Sequence, residues 1–100
     1  MKNASISELN KKLSNNINVI DVREPYELNY GKVPGAKNVP LRELAYNHKD
    51  YLEKGNEYYI ICQSGSRSVQ LVNFLAKEEY NLINVVGGTG MYGVRYPLER

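Results

Sequence analysis

The fold is decided by residues 57–68, which read Glu-Tyr-Tyr-Ile-Ile-Cys-Gln-Ser-Gly-Ser-Arg-Ser. The first five are rich in aromatic and β-branched residues, which predicts a buried strand that ends at Cys62. The polar segment after the cysteine leads into residues 68–79, where apolar residues at helical spacing predict the longest helix of the chain. A strand, a loop and a helix in this order are typical of a parallel α/β sheet.

Two more segments predict strands of the same sheet. Residues 17–22 are Ile-Asn-Val-Ile-Asp-Val, residues 82–86 are Leu-Ile-Asn-Val-Val, and turn residues bound both. A very short extended piece is expected at residues 38–39. Helical segments are predicted at residues 6–14, 26–29, 40–47 and 49–54, with one short helical turn before Pro97. Strands that alternate with helices predict a parallel sheet covered on both faces.

Composition narrows the class of protein. The 100 residues are 42% hydrophobic, which suits one compact domain over residues 1–100. A net charge of +2 without a run of basic residues argues against a nucleic-acid partner, and no apolar run is long enough to cross a membrane. Residues 1–5 lack the apolar segment of a secretory signal. The single cysteine excludes an internal disulfide and a cysteine-based metal site, and a free thiol fits a reducing cytoplasm best.

The segment that follows Cys62 can activate a thiol. In a parallel sheet, sites lie beyond the carboxyl ends of the strands, and Cys62 stands at such an end. Backbone N–H groups at the start of the next helix have no intrahelical partner and favour a negative charge. Such positions lower a cysteine pKa from about 8.5 to roughly 3.5–7.5. The candidate loop that binds the sulfur and its substrate consists of Gln63, Ser64, Gly65, Ser66, Arg67 and Ser68.

Each kind of side chain in this loop has a possible use. Gly65 lets the backbone turn inward without a Cβ clash. The three serine hydroxyls can donate to an anion or cap the helix. Arg67 can point at a bound anion or at a structural carboxylate. Taken alone, a cysteine after an apolar strand is typical of a small buried hydrophobic residue. The loop around it favours the alternative, in which Cys62 is a nucleophile.

Four segments, in the expected order, resemble motifs of the rhodanese family of sulfurtransferases, and specifically its stand-alone single-domain members. They are residues 19–27 (Val-Ile-Asp-Val-Arg-Glu-Pro-Tyr-Glu), 31–40 (Gly-Lys-Val-Pro-Gly-Ala-Lys-Asn-Val-Pro), 62–68 (the cysteine loop) and 86–88 (Val-Gly-Gly). The resemblance is strongest over residues 16–100. It departs from the family at Lys32, where histidine is common, and at Tyr92, where tryptophan is common. These departures bear on substrate preference and local packing.

The resemblance implies a rhodanese-like α/β fold, with a central parallel sheet of four to five strands flanked by helices on both faces. It also implies transfer of sulfane sulfur from thiosulfate or a persulfide to cyanide or a thiol through a Cys62 persulfide, without a cofactor or metal. Protein thiols are possible acceptors. We expect Asp21 and Arg23 to support the site structurally. Lys32, Arg42 and Arg95 either add positive potential near the pocket or are solvated surface charges.

Three alternatives remain at the level of the sequence. Cysteine-dependent phosphatases use five residues between cysteine and arginine, whereas four separate Cys62 from Arg67, so we expect negligible phosphatase activity. A sulfur-carrier module that exchanges its persulfide only with protein partners would use the same loop. A catalytically silent regulatory domain is the third, and the intact cysteine argues against it.

Overall fold

The computed structural model describes residues 1–100, and its five strands form one parallel sheet. The strands are β1 (Lys2–Ala4), β2 (Asn18–Asp21), β3 (Lys37–Asn38), β4 (Glu57–Ile61) and β5 (Asn81–Val85), in the spatial order β1-β5-β4-β2-β3. The α-helices are α1 (Ile6–Lys12), α2 (Leu41–Tyr46), α3 (Ser66–Phe74) and α4 (Gly88–Arg95). Short 3-10 segments cover Leu13–Asn15, Pro25–Tyr30, His48–Asp50 and Ala76–Glu78.

Side chains alternate across the sheet because successive strand residues point to opposite faces. On β4, Tyr58 and Ile60 join Cys62 in one buried cluster, which also holds residues of α2 and α3. Tyr59 and Ile61 point the other way, into a second buried cluster with residues of α1 and α4. The predicted α/β fold, with a parallel sheet between two helical layers, is confirmed.

Most elements lie within a few residues of where local sequence patterns predicted them. The strand predicted at residues 57–61 matches β4, and the predicted capping box at the start of α1 is present, with Glu8 N–H donating to Ser5 Oγ at 3.1 Å. The extended piece predicted at 38–39 overlaps β3 at Asn38 and is displaced from it by one residue. Two predicted helices are 3-10 segments: residues 26–29 lie within Pro25–Tyr30, and the helix expected at 49–54 is only His48–Asp50.

The edge strand β1 was not predicted. Its three residues, Lys-Asn-Ala, carry no apolar pattern, and they form a strand only because β5 pairs with them. Ala4 lies beside Val85, and Val86 N–H donates to the Ala4 carbonyl at 2.9 Å. A strand formed by pairing with residues about 80 positions away leaves no local signal.

Two helical predictions were wrong in extent. The helix expected at 68–79 begins earlier, at Ser66, because Gly65 takes a positive φ of 108° before it. It ends at Phe74, where the chain tightens into 3-10 geometry before Glu79 adopts a left-handed conformation. The expected single turn in the tail is instead α4, with eight residues. Its glycines disfavour a helix by propensity, but contacts with the cysteine loop override that cost.

No helix is both long and apolar enough to span a bilayer.

The centre of β4 should be a major source of stability. Ile60 is fully buried, so Ile60→Ala should lower the free energy of unfolding by about 2–5 kcal/mol through lost burial and a cavity. Val94→Ala on the exposed face of α4 is the control, and should change it by no more than about 0.5 kcal/mol. Urea denaturation followed by circular dichroism measures both. Equal effects would contradict the placement of β4 at the core.

Candidate active site

The sulfur of Cys62 lies inside the loop that follows β4. Gly65 N–H donates to Sγ at 3.0 Å and Ser68 N–H donates to it at 3.4 Å. The thiol lies 3.6 Å from Ser68 Oγ. Cys62 is fully buried and packs with the core cluster next to α3, as a hydrophobic cysteine would, yet its sulfur also faces backbone donors. A thiol in this position can lose its proton and keep hydrogen-bond partners for the charge.

Two opposing effects act on the Cys62 thiol. Burial raises its pKa, because a thiolate is poorly solvated in the protein interior. Hydrogen bonds from the Ser68 hydroxyl and from the N–H groups of Ser68, Gly65 and Ser64 lower it. The hydrogen bonds win, so the pKa of Cys62 lies below that of an ordinary thiol. The site therefore favours a reactive thiolate.

The start of α4 holds the loop from behind. Thr89 N–H donates to the Cys62 carbonyl at 2.8 Å, and Gly90 N–H donates to the Gln63 carbonyl at 2.9 Å. A helix start has unpaired N–H groups, and here they are used to orient the loop carbonyls away from the sulfur. Gly88 has a φ of 64°, and a Cβ there would lie 2.6 Å from the Cys62 carbonyl oxygen and 2.5 Å from that of Gln63. Only glycine allows this approach.

Arg67 makes an ion pair with Glu27. Its two terminal nitrogens donate to the two carboxylate oxygens at 2.7 and 2.8 Å. The hydrogen bonds from Arg67 lower the pKa of Glu27 from 4.5 to about 2. This contact ties the first turn of α3 to the 3-10 segment Pro25–Tyr30. Of the two uses expected for Arg67, the structure places it on a carboxylate.

A second arginine organises the end of β2. Arg23 is nearly fully buried, and its Nε and Nη2 donate to the Asp21 carboxylate at 2.8–3.0 Å. Its remaining donors reach the carbonyls of Glu27 and Gly31 and the Gln63 side-chain oxygen, at 3.0–3.2 Å. With all five donors engaged, Arg23 connects β2, the 3-10 segment and the cysteine loop.

Ser68 connects the sulfur to a line of polar groups across the sheet. Ser68 Oγ lies 2.6 Å from Asn84 Oδ1, and Asn84 Nδ2 donates to Asn3 Oδ1 at 3.0 Å. Asn3 and Asn84 are direct register partners on β1 and β5. Asn84 is buried in a strand whose other central residues are apolar.

The residues around this loop form a groove of about 570 Å³. It adjoins the loop at Gln63 and is lined by Arg23, Tyr26, Tyr30 and Val94 among others, whereas Cys62 itself lies outside the lining. Nowhere do three or more His, Cys, Asp or Glu side chains come close enough together to hold a metal ion.

The other basic residues considered from the sequence do not line this groove. Lys32 donates to the Ala36 carbonyl at 2.7 Å and pairs with Glu99 at 3.6 Å. Arg95 lies over the ring of Tyr96, and Arg42 lines a separate cavity with Tyr46. Tyr92 is buried, and its hydroxyl donates to Asn10 Oδ1 at 2.7 Å.

Of the predicted loop residues, Gly65 and Ser68 donate N–H groups to the Cys62 sulfur. The side chains of Gln63 and Arg67 instead bond to Arg23 and Glu27, and Arg23 in turn binds Asp21. Three residues that form hydrogen bonds around this site were not assigned to it from the sequence: Glu27, Asn84 and Asn3. Glu27 stood in a segment recognised by its motif, but nothing local indicated that its partner is 40 positions away. Asn84 carried the only available signal, a polar residue inside an apolar strand.

Comparison with known proteins places these features in a family. Residues 5–91 match the family model described as Rhodanese-like domain. A putative sulfurtransferase, YtwF of Bacillus subtilis, is 31% identical over 90 residues, covering 88% of this chain and 86% of the relative. The putative sulfur carrier protein YrkF of the same organism is 37% identical over 73 residues.

The share of the relative that is covered varies among the matches. The chain spans 39% of YrkF and 35% of a chloroplastic Rhodanese-like/PpiC domain-containing protein of Arabidopsis thaliana, so it matches one part of each. Among solved structures, the protein SSP1007 of Staphylococcus saprophyticus superposes with a TM-score of 0.89 at 34% identity, with 100% of both chains covered.

The contact of α4 with the loop can be tested at Gly88. Gly88→Ala should lower the free energy of unfolding by at least about 2 kcal/mol more than the control does, and should slow alkylation of Cys62, because the loop must move. Gly35→Ala is a matched control, since Gly35 also has a positive φ but no atom lies within 4 Å of its Cβ position. Denaturation and the rate of reaction with iodoacetamide are measured. If the two variants behave alike, backbone strain alone explains Gly88.

The Glu27–Arg67 pair predicts a pH-dependent stability. Because the folded pKa of about 2 lies below the unfolded value of 4.5, the pair stabilises the protein above pH 4.5 and loses this effect as pH falls through about 2. After allowance for partial exposure, Glu27→Gln should lower the free energy of unfolding at pH 7 by about 1–2 kcal/mol.

The difference between Glu27→Gln and the unaltered protein should shrink progressively as the pH is lowered from 4.5 towards 2. Glu99→Gln, at the more exposed pair with Lys32, is the control and should show a smaller effect at pH 7. Urea denaturation across this pH range measures both variants. A difference that does not change with pH would show that the ionised pair is not its source.

Proposed function

This chain belongs to the rhodanese-like domain family, and from that premise we propose that it is a sulfurtransferase whose nucleophile is Cys62. The observation that carries the proposal is the pair of backbone N–H groups, of Gly65 and Ser68, that face the Cys62 sulfur. They stabilise a thiolate without a general base. The one histidine of the chain, His48, bonds instead to Tyr80.

In the first step, the Cys62 thiolate attacks the outer sulfur of a donor. With thiosulfate, a bond forms between the two sulfurs, the bond to the sulfonate breaks, and sulfite leaves with the electron pair. Cys62 is then a persulfide anion. Ser66 and Arg67 open α3, where position in the helix leaves their N–H groups without an intrahelical acceptor. We assign these donors to the outer sulfur of the persulfide.

In the second step, an acceptor removes the outer sulfur. Cyanide or a thiolate attacks it, the sulfur–sulfur bond breaks, and the electrons return to the Cys62 thiolate. Atoms and charges balance in both steps, and neither step takes electrons from or gives them to an outside reagent, so the proposed reaction requires no redox cofactor. The residues Gln63, Ser64, Gly65, Ser66, Arg67 and Ser68 serve as the substrate-binding loop, with Asp21 and Arg23 as its support.

The net charge of the site bears on which sulfur donor it can bind. Arg67 and Arg23 are both neutralised by carboxylates within hydrogen-bond distance, so they add little net positive charge for a dianion. Attraction for the substrate then comes from backbone N–H groups and the α3 dipole. Both thiosulfate and a low-molecular-weight persulfide fit such a site, and the proposed location is the cytoplasm, where a free thiol remains reduced.

A sulfur carrier is the second candidate, because a relative 37% identical over 73 residues is named a putative sulfur carrier protein. In this role Cys62 receives sulfur from a protein donor and passes it to a protein acceptor. The same loop would hold the persulfide. The two roles differ only in whether small molecules are turned over.

Mass spectrometry and steady-state assays distinguish these roles. After treatment with thiosulfate or glutathione persulfide, the intact protein should gain the mass of one sulfur atom on Cys62, and Cys62→Ala should gain none. Thiocyanate should form from thiosulfate and cyanide, with a loss of at least about 10³-fold in Cys62→Ala.

Each result of these assays favours a different role for Cys62. A mass gain with negligible thiocyanate formation would favour the carrier, which is then tested with a cysteine desulfurase as donor. If no donor of either kind adds sulfur to Cys62, the proposal is wrong. An aryl phosphate serves as the control substrate. Rapid hydrolysis that depends on Cys62 would indicate a phosphatase instead.

A further inference from the structure

The hydroxyl of Ser68 has one proton and three neighbours that could accept it. Asn84 Oδ1 lies at 2.6 Å, the Gly65 carbonyl at 3.0 Å and the Cys62 sulfur at 3.6 Å. A serine donates only one hydrogen bond at a time. The group that takes this proton decides whether Ser68 can stabilise a charge on the sulfur.

Asn84 is an unusual residue for its position. It is 3% exposed, and its neighbours along β5 (Leu82, Ile83 and Val85) all belong to the hydrophobic clusters. A buried amide costs about 1–3 kcal/mol unless it is hydrogen-bonded. Both ends of this amide have partners, Ser68 on one side and the exposed Asn3 on the other.

The bonds run in one direction from the sulfur to the surface. The Cys62 thiol donates to Ser68 Oγ, the Ser68 hydroxyl can donate to Asn84 Oδ1, and Asn84 Nδ2 donates to Asn3 Oδ1. In this direction the serine proton points away from Cys62. That arrangement suits a thiol, which brings its own proton.

A thiolate requires the opposite direction. If Ser68 turned its proton to the sulfur while Asn84 kept its position, two oxygen acceptors would face each other at 2.6 Å. An amide carries a donor and an acceptor on the same group, so a half-turn of Asn84 presents Nδ2 to Ser68 instead. Asn3 lies at the exposed end and can turn in the same way.

We propose that Asn84 and Asn3 are positioning residues for Cys62, whose amides reverse this hydrogen-bond chain when the sulfur ionises. Neither touches the sulfur, and both act through the Ser68 hydroxyl. After reversal, Asn3 donates to Asn84, Asn84 donates to Ser68 and Ser68 donates to the thiolate. The thiol proton leaves to water. The inference concerns the thiol itself, and it rests on the proposed sulfur transfer only for its consequence in catalysis.

Three charged side chains, Arg67, Arg23 and Lys2, have hydrogen-bond partners outside the relay formed by Cys62, Ser68, Asn84 and Asn3. Arg67 on α3 is bound by Glu27, and Arg23 at the end of β2 is bound by Asp21. On β1, Lys2 donates to the side chain of Asn81. A change at Asn3 disrupts none of these contacts, so its effect on Cys62 can be separated from theirs.

The substitution Asn3→Asp tests the proposal from the surface. A carboxylate can only accept hydrogen bonds, so it keeps Asn84 Nδ2 turned towards itself. The series of hydrogen bonds is then fixed in the direction that suits the thiol. Alkylation by iodoacetamide over a range of pH reports on Cys62 alone, since the chain has no other cysteine. We expect alkylation about threefold slower at pH 7 and a pH profile displaced to higher pH.

The same substitution in a Ser68→Ala background is the matched control. In that background the Ser68 hydroxyl is absent, so the hydrogen bonds no longer connect Asn84 to the sulfur. Asn3→Asp should then leave the alkylation profile as it is in Ser68→Ala alone. As a second measurement in otherwise unaltered protein, about 0.5 M salt should screen a through-space charge but leave a relayed effect in place. Equal slowing in both backgrounds, slowing abolished by salt, or no slowing at all would overturn the proposal. No sulfur donor is used, so these outcomes are independent of the proposed function.

Discussion

The hydrogen bonds from Gly65 N–H and Ser68 N–H to the Cys62 sulfur impose the main constraint on this structure. For these donors to point inward, the loop must wind around the sulfur, and its carbonyls must point outward. The first N–H groups of α4 hold these carbonyls in the outward direction by donating to those of Cys62 and Gln63. Two helix starts thus meet at one loop. One stabilises the charge on the sulfur, and the other holds the backbone that makes this possible.

The two arginines of the site stabilise its frame. Arg67 joins α3 to Glu27, and Arg23 joins β2 to the loop through Gln63. A buried or half-buried ion pair contributes less net charge than the arginine alone suggests. In the proposed function, an anionic donor would therefore be bound by backbone N–H groups, which are fixed in place by the fold and cannot be lost through side-chain rotation.

Much of the fold could be predicted because its signals are local. The strand at 57–61, the capping box at Ser5 and Glu8 and the turn at Gly65 each depend on residues within a few positions of one another. Two further features depended on distant partners and were missed or underestimated. The strand β1 exists because β5 pairs with it, and α4 is longer than its glycines suggest because its first turn binds the loop after β4.

The sequence by itself determined the nucleophile candidate and its loop, because Cys62 and the donors that face it lie within seven consecutive residues. It also determined that a positive charge, that of Arg67, lies within this loop. Only the tertiary structure decided what that charge meets, since Glu27 lies 40 positions away, and only the pairing of β1 with β5 brought Asn3 beside Asn84. A hydrogen bond needs its two atoms within about 3 Å, and for groups so distant in the chain that condition is met by the packing of the whole sheet.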